Sequence, residues 1–109
     1  MPRDEVEAAY FTLLRARDEL AALRRWEEYL DDELRRMRRF ASEGAALDDT
    51  VDRRLRRTLR HTVEPLQEAL DARARVIRDE QARLPERIEA AERFVAECER
   101  DHTALRDRR

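Results

Sequence analysis

The one cluster of chemically versatile side chains in this chain is Cys98, Glu99 and His102. On a helix, Glu99 and His102 stand at i, i+3, and Cys98 and His102 at i, i+4, so the three share a face. Glu-x-x-His is the spacing by which helical bundles offer a carboxylate and an imidazole to a pair of iron or manganese ions. Such a site needs the motif twice, and no second Glu-x-x-His occurs. The cluster also lies close to the last residue of the sequence, where a helix end frays. Cys98 falls on the apolar series described below, where a thiol packs as a small hydrophobe. The other histidine, His61, suits the negative end of a helix dipole. No Ser/His/Asp set, glycine-rich phosphate loop or Cys-x-x-Cys pair is present. We therefore expect no enzyme, no catalytic residues, no metal and no cofactor; a small all-α enzyme or metal-binding bundle is the distant alternative.

A second candidate chemistry is anion binding. All 24 basic residues are Arg. Residues 35–61 carry nine of them, Arg35, Arg36, Arg38, Arg39, Arg53, Arg54, Arg56, Arg57 and Arg60, against four acids, for a net charge of +5. Residues 1–34 carry ten acids and five Arg, and residues 62–109 twelve acids and ten Arg. In a hairpin the basic stretch forms one tip, a candidate patch for nucleic acid or another polyanion. Three features count against it. The chain has no Lys, no Asn and two Ile, which marks a GC-rich genome and makes Arg abundance uninformative. Phe40 is the only aromatic residue in the stretch, too few for base stacking. Glu43, Asp48, Asp49 and Asp52 interrupt it, and the whole chain has a net charge of −2. Polyanion binding is the second reading.

What positions these residues is a single repeating pattern. From Val6 to Ala41, positions spaced alternately three and four apart read Val6, Ala9, Leu13, Ala16, Leu20, Leu23, Glu27, Leu30, Leu34, Met37 and Ala41, all apolar but one. This is a heptad seam on a long amphipathic helix, and such a stripe requires a partner helix. Asp4 is the expected cap, with Glu7 three residues on. Gly44, the only glycine, is the expected stop, after a last turn rich in Arg. That gives a first helix over about 4–42. Asp48 or Asp49 then caps a segment with Val51, Leu55, Leu59 and Val63 on one side, and Pro65 interrupts it. The third segment places Leu66, Leu70, Ala74, Ile77, Gln81, Leu84, Ile88, Ala91, Val95, Cys98, His102 and Leu105 on the same spacing, with Pro85 as an expected kink.

The expected fold is therefore all-α: an antiparallel, coiled-coil-like helical hairpin in one domain of residues 1–109. Its breaks fall near Gly44 and Pro65. Helices over about 49–63 and 66–107 follow the first. Pairing of 4–42 with 66–107 would set Leu14 near Val95 and Phe11 near Cys98. The alternative is one helix from 49 to 107, which would set Leu14 near Ile77 and overhang the first helix.

Of the apolar 41%, 16 residues are Ala, leaving a thin core for a two-helix hairpin, and oligomerisation is the usual remedy. Tyr10, Phe11 and Leu14 lie beside the seam at one end, Trp26 and Phe40 flank it, and Phe94 is surplus on the third segment. These six are the candidate oligomer or partner interface. One Cys excludes an internal disulfide. No apolar run approaches the length of a membrane span, and no leader pattern opens the chain, so a cytoplasmic protein off the membrane is expected. The favoured role is a non-enzymatic scaffold or interaction module that self-associates, a dimer first.

Overall fold

The computed structural model describes residues 2–108, with side chains from Asp4 onward. The chain forms two helices, α1 over Pro2–Thr50 and α2 over Arg53–Asp107, with Val51 and Asp52 between them. Among the described residues there is no strand, and no helix is long and apolar enough to cross a membrane. Residue contacts divide the chain into two units, one of Met1–Glu27 with Arg83–Arg109 and the other of Glu28–Ala82.

In the first unit α1 and α2 run antiparallel. Leu13 and Ala16 pack with Cys98, and Val95 lies against them half-buried. Leu20 and Leu84 are also buried. In the second unit the buried side chains are Leu30, Leu34 and Ile77. All eight lie on the heptad seams of the two arms. Fully burying a Leu or Ile side chain contributes about 1.5–3 kcal/mol, and only six of the eight are Leu or Ile, so the core is thin.

Three boundaries differ from expectation. The first helix does not end before Gly44. It runs to Thr50, and Gly44 has no positive φ and nothing within 4 Å of where a Cβ would stand. Glycine costs a helix interior about 1 kcal/mol, but Ala41, Ala45, Ala46 and Leu47 around it are among the best helix formers. Arg35–Arg39 therefore sit mid-helix, and the last turn of α1 holds no basic residue. At the other end α1 starts at Pro2, whose missing N–H costs nothing in a first turn, so Asp4 and Glu5 lie inside that turn rather than before it.

The cap of the next helix is Asp52, not Asp48 or Asp49. Its Oδ1 accepts hydrogen bonds from the backbone N–H groups of Arg54 and Leu55, each at 2.9 Å, which is N-cap geometry. Arg56 completes the turn. Its side chain donates to the backbone carbonyls of Asp48 and Val51, both at 3.2 Å, and so supplies the cation that the last turn of α1 lacks.

Finally, among the described residues there is no third helix and no break at Pro65. α2 passes through both Pro65 and Pro85. Proline in a helix interior costs about 3 kcal/mol, in part because the carbonyl four residues earlier loses its donor. Here that carbonyl belongs to His61, and residues 61–69 are all exposed, so water can take the donor's place. The topology is thus the single long second helix. Yet the pairing near the N-terminus, Leu13 and Ala16 beside Val95 and Cys98, is close to the register expected of three segments. α1 is eight residues longer than its sequence signals indicated.

Candidate interaction surface

Position by position, the two edges of the hairpin differ. On α1, Tyr10, Arg17, Arg24 and Asp31 are spaced seven apart and occupy one edge beside the seam. Each reaches α2. The Tyr10 and His102 rings lie 5.5 Å apart. Arg17 donates to Glu99 and Arg24 to Glu92, both at 3.2 Å. In the other unit, Gln81 donates to Asp31 at 2.7 Å. Residues four positions before these, or three after, are the seam itself. This edge is closed by polar contacts.

The opposite edge of α1 carries Trp26, Phe40 and Leu47, again at heptad positions, and the matching edge of α2 carries Leu59, Leu66 and Phe94. All six are exposed. In the second unit these apolar side chains coincide with a loss of core. No residue from Arg38 to Ala69 is buried. The cause lies in the seam of α1, where Ala41, Gly44 and Asp48 follow Met37. They are too small or too polar to cover Val63, the α2 residue on the facing series, which remains 50% exposed.

Of the expected interface residues, Tyr10, Phe11, Trp26, Phe40 and Phe94 are exposed and Leu14 is half-buried. Tyr10 is on the polar edge against His102 and Phe11, and Phe11 is exposed. Trp26 and Phe94 hold apolar edge positions in one unit, and Phe40 holds one in the other. Tyr29, Leu47, Leu55, Leu59, Val63, Leu66 and Val76 were not foreseen as surface, and all are exposed. A second four-and-three series along α2 was the available signal.

The Cys98, Glu99 and His102 cluster does not converge. Cys98 is buried, and its thiol is pushed up from its ordinary value by burial, with the carboxylates of Asp101 and Glu97 adding to the effect. Glu99 is engaged by Arg17, and His102 lies against Tyr10. Among the described residues, no group of three His, Cys, Asp or Glu side chains is placed to hold a metal ion. An open groove of about 390 Å³ is lined by Ala9, Thr12, Cys98, Asp101, Ala104, Leu105 and Arg108.

The nine-Arg stretch is partly drawn onto neighbouring carboxylates. Arg35 pairs with Asp32 at 3.4 Å, Arg36 with Glu33 at 3.3 Å, and Arg56 lies 4.0 Å from Asp48. These are exposed pairs of little energetic weight, but they lower the positive field that a polyanion would meet. The sequence matches no protein-family model and no curated protein, and the fold matches no solved structure.

Proposed function

We propose that this chain is a non-enzymatic helical interaction module that works by self-association, with a dimer as the working unit. The observation that carries the reading is the uncovered apolar edge of the tip. Phe40, Leu47, Leu55, Leu59, Val63 and Leu66 are large side chains held on regular helix and left exposed by the described residues. A concentration of large exposed apolar side chains on a small domain marks an interaction site. The lack of convergence at Cys98, Glu99 and His102 favours the same reading over catalysis. Polyanion binding by Arg53, Arg54, Arg57 and Arg60 has weaker support, because Arg56 is occupied in the turn and Asp48, Asp49 and Asp52 lie among them.

Light scattering or sedimentation at micromolar concentration tests the reading. A mass of two chains or more is expected. A monomer with one cooperative melt, unchanged on dilution, overturns it.

A further inference from the structure

α2 carries a second seam. Leu55, Leu59, Thr62, Leu66, Ala69 and Val76 fall on alternating spacings of four and three, with Arg73 the one charged member. Each stands one residue ahead of the series that faces α1, such as Val63, Leu70, Ala74 and Ile77. One residue is about 100° around a helix, so the two seams occupy adjacent faces. A helix with two such faces packs against two neighbours, as the helices of four-helix bundles do. In the Glu28–Ala82 unit one neighbour is α1, and the other face is open.

From this we infer that the second seam is occupied by the same seam of a second copy, antiparallel, about a two-fold axis at Thr62. This rests on the self-association proposed above and names its face and register. Charge selects the register. Residues 53–60 hold five Arg and no acid, and residues 64–71 hold Glu64, Glu68 and Asp71 and no Arg. An antiparallel pair centred on Thr62 sets the basic block of each copy against the acidic block of the other. Leu59 then faces Leu66, Leu55 meets Ala69 and Leu70, and Arg73 lies level with Asp52. A parallel pair would place five Arg against five Arg. An antiparallel pair centred a turn or two away would also bring like charges together, which opposes association.

The area suffices. Leu55, Leu59, Leu66 and Val76, with Phe40 and Leu47 on the adjoining edge of α1, are between 39% and 66% exposed. At roughly 150–200 Å² per fully exposed large side chain, they leave on the order of 450–600 Å² of apolar surface per copy. A standard interface buries roughly 800 Å² per partner, a little over half of it apolar, so these side chains supply what a stable dimer needs. Closed two-fold symmetry also leaves no repeat of the apolar edge for further growth.

Two experiments on the full chain decide the matter. In a Cys98→Ala background, Thr62→Cys should oxidise readily to a disulfide-linked dimer, because the two sulfurs meet at the axis, whereas Ala46→Cys should not. Cross-linking through Ala46→Cys but not Thr62→Cys overturns the register. In the second, Arg54, Arg57 and Arg60 are changed to Glu in one protein, and Glu64, Glu68 and Asp71 to Arg in another. Each alone should dimerise at least about tenfold more weakly, and an equimolar mixture should restore the dimer. If either variant loses helix signal, recovery of both helicity and dimer on mixing supports the inference, and failure to recover overturns it. If the parent is dimeric and both variants remain so, the inference fails while self-association stands. If the parent is monomeric, self-association itself fails.

Discussion

Replacing Gly44 by Ala should raise stability, and the sign of the effect separates two structures of the tip. Gly44 lies six residues inside the end of α1, its φ is negative, and nothing stands within 4 Å of the position of a new methyl group. The substitution therefore meets no steric cost and gains the difference in helix propensity, about 0.5–1 kcal/mol. Part of that gain comes from the unfolded chain, where Gly samples more backbone conformations than Ala. For a chain of this length the midpoint of thermal unfolding should rise by roughly 2–6 °C. Circular dichroism at 222 nm, followed through heating and through urea at matched protein concentration, reads both the midpoint and the slope. If Gly44 instead ended the helix in the left-handed conformation, Ala would be strained there and would cost roughly 1–2 kcal/mol. A fall in stability of that size, with unchanged urea slope, would refute a continuous α1.

Other outcomes follow from the same contacts. Leu30→Ala, at a side chain only 1% exposed, should cost roughly 2–4 kcal/mol and shift the urea midpoint accordingly, toward the lower end because a two-helix layer relaxes around the gap. Cys98 should react slowly with a disulfide reagent in the native protein and at once in denaturant; equal rates would mean the thiol is not buried. Since the folded thiol titrates above its ordinary value near 9, the unfolded chain loses that proton first. Stability should be constant for this group below that pH and decline above it, and Cys98→Ala should flatten that alkaline limb. A mobility-shift assay with duplex DNA, single-stranded DNA and RNA at about 50 mM salt should give no shift. A shift that weakens steeply with salt and vanishes when Arg53, Arg54, Arg57 and Arg60 become Gln would revive polyanion binding.

The core was readable in the sequence and the helix ends were not. Leu13, Leu20, Leu30, Leu34, Ile77, Leu84 and Cys98 sit on series of threes and fours that persist for many turns, and a period sustained that long admits one solution. Helix ends depend on single residues whose signals compete with their neighbours. Gly44 and Pro65 are strong stop signals in isolation, each opposed by helix formers on both sides. Among the four acids near the turn, local composition did not single out Asp52, because its advantage depends on where α1 stops. Off-seam aromatic residues were recognisable as surplus surface, since Phe40 and Phe94 have no place on either seam. Leu55, Leu59 and Leu66 carried a weaker signal: the expected segments count them among their apolar positions, whereas on the single α2 they lie one residue off the series that faces α1 and are exposed.

The seven-residue rungs at Tyr10, Arg17, Arg24 and Asp31 constrain how the length of this protein could drift over generations. Losing or gaining one residue in either arm turns everything beyond it by about 100° and shifts it by about 1.5 Å, which takes Leu13 or Leu30 off the seam. A seven-residue change keeps the face but leaves one arm longer than the other. Only matched changes of seven in both arms, fourteen in all, keep every rung opposite its counterpart. Relatives should therefore differ from this chain in length by steps of about fourteen, or by short insertions at Val51 and Asp52 where no rung is crossed.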